Sequence, residues 1–334
     1  MKPMKPTNNR TAYRCICLLL AMMITLCVFT GCGAKKPEQA PADTEETADA
    51  ADISPLLWRV TDGRGGEMYL FGTIHAGDDR NDTVIERLSP YLDECENVAV
   101  EFDIVAYQKD LTQMMVDMKK YFLFGVKRIN DILPEETYEK AKELLKKSGT
   151  YLPVYDEYGP ALWSQLVDNA VISDYSGIST ENAIDTKLIN YAYDHGMPVL
   201  DIESASFQSS LLARIPDSTY IILIDRTVSD PEGDGARYDA LYESWLAGNE
   251  DKVSEALTEE FSEEYTEEEI ALLEDYDKIL ITDRNVGMAD KAEEYLASGE
   301  KTFFAVGTGH VLYEDGLVDL LTERGYTVER VEWN

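Results

Sequence analysis

Apolar and polar positions alternate over short blocks at both ends of the chain and fall into helical spacing between them. Leu57–Thr61, a Gly-rich 62–67 and the apolar 68–71 predict strand, turn and strand. Over 83–95, Val84, Ile85, Leu88, Tyr91 and Leu92 recur at helical spacing. The run 97–103 reads as a strand, with Val98, Val100 and Phe102 on one face and Ala99, Glu101 and Asp103 on the other. Residues 56–103 therefore predict ββαβ.

The stretch from about 104 to 245 reads as mainly helical. A segment at 134–147 opens on Pro134 and stops before Gly149, and another spans 183–194. The apolar 197–202 predicts a buried strand. A helix over 262–280 carries a capping box, Thr266 with Glu269. Residues 302–306 predict a strand, 316–324 a helix ended by Gly325, and 326–333 a last strand. The expected class is α/β (α+β): two α/β ends around a large helical insertion.

Composition adds an address. Residues 1–31 hold Lys2, Lys5, Arg10 and Arg14 and no acid, followed by an apolar run over 15–30. Sixteen residues are short for a membrane span, which needs about 20, and suit a secretory signal. Phe29-Thr30-Gly31-Cys32 is similar to a bacterial lipobox, in which Cys32 takes the lipid after cleavage; an ordinary signal peptide or an uncleaved anchor is the alternative. The expected product is an exported protein held to membrane lipid through Cys32 and facing the extracytoplasmic side. Residues 32–54 are acidic and lack aromatics, as a solvated tether does, and one domain is expected over 55–334. With Cys15, Cys17 and Cys27 removed and Cys32 acylated, only Cys95 remains, which excludes an internal disulfide and a thiolate metal cluster.

Charge narrows the partners. Thirty Lys+Arg against 64 Asp+Glu give a net charge of −34, and removal of the four leader cations takes it to −38. Such a surface repels phosphate backbones, so no nucleic-acid partner is expected.

The candidate chemistry lies in the histidines. Two of the three sit in near-copies of one motif, Phe71-Gly72-Thr73-Ile74-His75 and Val306-Gly307-Thr308-Gly309-His310, each after an apolar strand. Gly72, Gly307 and Gly309 let the backbone turn and approach a ligand. Polar residues past the carboxyl ends of strands lie where α/β folds place their sites. Glu101 ends another apolar strand. Two imidazoles and a carboxylate suit Zn, Mn, Fe or Co with a position open for water; they equally suit metal-free activation of water. Against this stand two satisfied loop histidines and an exposed strand-end acid. His195 precedes Gly196 at a helix stop and reads as a cap. No Gly-x-Ser-x-Gly, His-Glu-x-x-His, P-loop or dinucleotide fingerprint is present. The run 250–277, with 13 acids, reads as a solvated helical face.

Together these residues resemble the TraB/GumN family, related to the Tiki metalloproteases and more distantly to erythromycin esterases and ChaN-like proteins. The landmarks are the first Gly-Thr-Ile-His, Glu101, Leu200-Asp201-Ile202-Glu203 with Gln208, Asp283-Arg284-Asn285 with Met288-Ala289, and Ala305-Val306-Gly307-Thr308-Gly309-His310 with Gly316-Leu317. Ile202-Glu203-Ser204 departs mildly from the family's Leu-Glu-Thr. The resemblance implies a mixed sheet of two similar strand-helix halves meeting at one cleft. It implies a divalent metal on His75, His310 and Glu101, and cleavage of peptides. Glu203, Arg284, Asn285 and Asp103 are expected to line the cleft, with Arg284 holding a substrate carboxylate or an oxyanion. A non-catalytic lipoprotein that sequesters a peptide, metal or haem-like ligand, and a metal-free esterase acting on a small molecule, are the alternatives.

Overall fold

The computed structural model describes residues 53–123, 127–257, 265–313 and 315–333. The expected leader, Cys32 and the expected tether as far as residue 52 lie outside the described residues. Packing begins slightly before the expected boundary, since Ile53 is buried and the Ser54 amide donates to Leu246 O. No helix among the described residues is long and apolar enough to cross a membrane.

Six strands form one mixed sheet: β1 (Leu57–Thr61), β2 (Glu67–Thr73), β3 (Asn97–Val100), β4 (Val199–Asp201), β5 (Thr302–Gly307) and β6 (Thr327–Arg330). Their spatial order is β4-β3-β5-β2-β1-β6. β4, β3, β5 and β2 run parallel, while β1 pairs antiparallel with β2 and with β6. Central parallel strands are covered on both faces, which explains the unbroken apolar runs Met68–Phe71 and Phe303–Val306. The alternation expected along 97–103 does not appear, because all of β3 is buried and the strand stops before Glu101. The 197–202 strand is present but short and half-exposed, since it forms the sheet edge.

The helix expected over 83–95 runs Arg80–Leu92 instead. Asp78 Oδ1 accepts from the Arg80 amide at 2.8 Å and starts it one turn earlier. The expected start of the 262–280 helix lies outside the described residues; the Thr266–Glu269 capping box opens the helix Glu267–Asp277. A π-helical turn, Lys278–Thr282, then leads into the helix Asp283–Ser298, which the hydropathy pattern did not predict.

The insertion is helical as expected. Its centre is the helix Pro160–Tyr175, apolar nearly all round and packed against the helices Glu135–Lys147, Asp217–Ser229 and Pro231–Leu246. Asp168 lies on its buried face, accepting from Thr227 Oγ1 at 3.5 Å. Burial, reinforced by Asp234, pushes its carboxyl up to about 8. The folded chain therefore keeps this proton up to about pH 8, while an unfolded Asp releases it near 3.9. Stability falls as pH rises between those values. Asp168→Asn is expected to raise the melting temperature by several degrees at pH 8 and by much less at pH 4; parallel melts at both pH values would contradict this.

Candidate functional site

The sheet register builds the site. Val100 is paired with Ala305 and Asp201, and Thr73 with Gly307. The carboxyl ends of four parallel strands thus lie side by side, with His75 after β2, Glu101 after β3, Glu203 after β4 and His310 after β5. The ladder continues past β3, where the Glu203 amide donates to Glu101 O at 2.8 Å. The two motif glycines bring the halves together. A Cβ on Gly72 would stand 2.9 Å from Thr308 Oγ1 and 3.4 Å from Thr308 Cα. That hydroxyl donates to Thr73 O at 2.8 Å, tying one motif to the other. Gly72→Ala is expected to break this tie and cost about 1–3 kcal/mol, read by chemical denaturation; an unchanged midpoint would contradict it.

The two halves diverge beyond the motif. His310 lies in the short helix Thr308–Leu312, whereas His75 sits in an irregular segment. That segment is pinned on either side: Trp245 Nε1 donates to Gly72 O at the end of β2 at 2.8 Å, and the Asp78 amide beyond it donates to Tyr242 Oη at 3.2 Å.

Both imidazoles are buried and both are held through Nδ1. Asn285 Nδ2 donates to Asp315 O at 3.0 Å, which turns Asn285 Oδ1 toward His310 Nδ1 at 2.7 Å. The amide oxygen can only accept, so Nδ1 carries the hydrogen and Nε2 presents a lone pair. Burial and the nearby Arg284 guanidinium hold the His310 pKa down to about 3, so the ring is neutral. For His75, Asp185 Oδ2 accepts from Nδ1 at 3.0 Å. Burial is the largest single influence and lowers its pKa, but the charge and hydrogen bond of Asp185, together with the Glu101 carboxylate, raise it on balance. An acceptor behind Nδ1 that leaves Nε2 for another partner is how proteins present histidine to a metal.

Glu101 is the hub. Its Oε1 accepts from the Gly307 amide at 2.9 Å; its Oε2 accepts from Arg284 Nη2 at 2.5 Å and from Gln208 Nε2 at 2.8 Å. Burial is the largest single influence and pushes its pKa upward, but Arg284, the two imidazoles and the Gly307 amide together outweigh it and hold the carboxyl well below the usual carboxylate range. Glu203 shares both donors, accepting from Arg284 Nε at 3.0 Å and from Gln208 Nε2 at 2.9 Å. Arg284 Nη1 donates to Leu280 O at 2.9 Å.

Arg284 is thus spent on the protein itself, with 3% of its side chain exposed. It braces two carboxylates and does not present a fork to substrate, contrary to the sequence expectation. Asn285 acts through His310. Asp103 does not join the cluster: it caps the helix Ile104–Lys109, accepting from the Ala106 amide at 2.8 Å, and also accepts from Tyr193 Oη. His195 is the helix cap expected of it, with Nδ1 at 2.8 Å from Tyr191 O.

His310 Nε2 is buried without a hydrogen-bond partner and lies 4.0 Å from Glu101 Oε1. Two acceptors face each other with no proton between them, and a buried unsatisfied group of this kind calls for an ion or a water. Donor atoms with bonds of about 2.1 Å to one divalent ion are at most about 4.2 Å apart, so the spacing admits such an ion. Among the described residues, no three His, Cys, Asp or Glu side chains close around a single metal position. The donor chemistry fits a divalent ion at the His310–Glu101 pair, and closing a third ligand from His75 requires side-chain adjustment.

A family model for the TraB/PrgY/gumN family matches residues 56–330. No curated protein and no solved structure matches the chain.

Proposed function

Given that the chain belongs to the TraB/PrgY/gumN family, we propose that it is an exported, lipid-anchored hydrolase that cleaves peptides with the help of a divalent ion. The observation that carries this reading is the buried His310 Nε2 lone pair, aimed at Glu101 Oε1 with no donor between them. His310, His75 and Glu101 would hold the ion, whether Mn, Co, Zn or Fe. Once bound, such an ion lowers the pKa of its water toward about 7 and polarises a carbonyl.

The chain's own residues supply the rest. Asn285 and Asp185 hold the two imidazoles by Nδ1, so that neither ring can turn its Nε2 away. Glu101 keeps one oxygen toward the gap while Arg284 and Gln208 hold the other. A carboxylate in that position can take a proton from water as it attacks. Arg284, the imidazoles and the Gly307 amide keep Glu101 ionised, so its oxygen stays open to a cation or to a proton of water, with lowered basicity. The leader's basic and apolar segments and Cys32 support the placement outside the membrane.

One observation favours a metal-free variant of the same hydrolysis. Arg284 already neutralises much of the charge on Glu101, which weakens its pull on a cation. A water bridging His310 Nε2 and Glu101 Oε1 would then be the nucleophile. The full chain, incubated with a peptide library in the presence of Mn, Co or Zn and separately with chelator, distinguishes these. Cleavage that chelator blocks is the expected result. Cleavage that survives chelation would select the metal-free route, and stoichiometric binding without products would replace the hydrolase by a sequestering protein.

A further inference from the structure

The chain carries an exposed apolar and basic face on a molecule that is otherwise strongly acidic. The helix Leu111–Asp117 continues as a π-helical turn, Met118–Phe122. Its inner side is set by Asp117, Met118 and Phe122, all buried. Its outer side holds Leu111, Met115 and Val116, and Leu123 follows. These four are 55%, 71%, 50% and 38% exposed, and Met115 is the most exposed of the large apolar residues described. Thr112, Met115, Val116, Lys119 and Lys120 follow the 3–4 spacing of a single helical stripe. The face is apolar where a soluble helix is polar.

Its charge is opposite to that of the whole. Between Lys109 and Arg128 lie five basic residues, Lys109, Lys119, Lys120, Lys127 and Arg128, against two acids, a net of +3 in a chain of net −34. All five are exposed. One of the acids, Asp117, is buried and accepts from Tyr107 Oη, Gln113 Nε2 and Ser206 Oγ at 2.9–3.2 Å. Along the helix and its turn the outward charges are Lys119 and Lys120, preceded by Lys109 and the exposed Asp110. Apolar side chains with lysines among them bury the apolar part below the headgroups of a bilayer while the ammonium groups stay at the phosphates. Each such lysine adds about 1 kcal/mol near an anionic surface.

We propose that this face docks on an anionic lipid surface and sets the orientation of the domain on the membrane that its leader targets. The proposal rests on the membrane placement above and is independent of the hydrolytic chemistry. It has a geometric consequence for the candidate site. An open groove of about 270 Å³ lies beside the same helices, lined by Phe102, Asp103, Tyr107, Asp110, Gln113 and Ser206 among others. Phe102 adjoins Glu101 in the chain, and Ser206 bonds to Asp117 beneath the docking face. Docking would hold that groove next to the bilayer, where a membrane-proximal peptide segment can enter it.

The test places a reporter on the face. The full chain carrying Met115→Trp is added to vesicles of phosphatidylcholine with phosphatidylglycerol whose acyl chains are brominated, and its emission is compared with that of the native chain. Of the four native tryptophans Trp58, Trp163 and Trp245 are buried and Trp333 is half-buried, and the native chain sets this background. The expected result is quenching clearly above the native chain on anionic vesicles. Lys119→Glu/Lys120→Glu in the same background should abolish the added quenching while vesicle association, read by flotation, persists. Equal quenching with and without Met115→Trp, or added quenching that survives the charge reversal, would overturn the proposal. In the first case flotation separates the failures: chain that floats without added quenching is anchored but not docked on this face, and chain that does not float removes both readings.

Discussion

Arg284→Ala is expected to destabilise the fold by about 3–5 kcal/mol, the usual consequence of stranding a buried ion partner. Two carboxylates depend on this one guanidinium. Glu101 and Glu203 receive it at 2.5 and 2.7 Å, with 13% and 9% of their side chains exposed. Once it is gone, both charges sit in the protein with only Gln208 between them, and one must take up a proton. Against a total stability of about 5–15 kcal/mol for a typical domain, this loss is large. Arg284→Lys keeps the charge but cannot donate to Leu280 O and both carboxylates at once, so an intermediate loss is expected. Chemical denaturation of the two variants checks the order; equal stability of Arg284→Ala and the native chain would show that the carboxylates find other partners.

The second large effect concerns His310. His310→Ala is expected to reduce peptide cleavage by about 10²–10⁴-fold, the range for losing a group that positions or activates the attacking water. The fold should lose less than in the Arg284 case, because Nε2 has no bond to lose and Nδ1 has only Asn285. Asn285→Ala offers a comparison. It leaves the ring in place but frees its orientation, so activity should fall by a smaller factor, about 10–100-fold, as for losing the partner that orients a ligating histidine. Steady-state kinetics with one peptide substrate checks the order. A His310→Ala chain that cleaves as fast as an Asn285→Ala chain would remove His310 from the reaction.

The parts of this site that sequence reading reached are those encoded locally. Gly72 to His75 and Gly307 to His310 repeat a short pattern after apolar strands, and such strands form centrally because their residues are buried on both faces. Glu101 and Glu203 were visible as acids just past apolar runs. What joins them is non-local. Asp185 meets His75 across 110 residues, and Trp245 reaches Gly72 across 173. Neither sits in a pattern that singles it out. Arg284 was visible as a residue and misassigned in its task, because pairing with Glu101 and Glu203 follows from the β3–β4 register and not from spacing. Asp103 differs: alternation places it beside Glu101, but β3 ends at Val100 and the chain turns into a helix that Asp103 caps, so it lines the neighbouring open groove and not the Glu101 cluster. Helix ends shifted for a similar reason, since Asp78 starts the Arg80–Leu92 helix through a polar contact that hydropathy does not register.

The central claim is that His75, His310 and Glu101 together hold a divalent ion. Metal analysis of the full chain tests it most directly, comparing the native protein with His75→Ala and His310→Ala after equilibration with Mn, Co or Zn. The account predicts about one ion per native chain and loss of most of it in each variant, with circular dichroism unchanged. Equal metal content in the native chain and in both variants would contradict it.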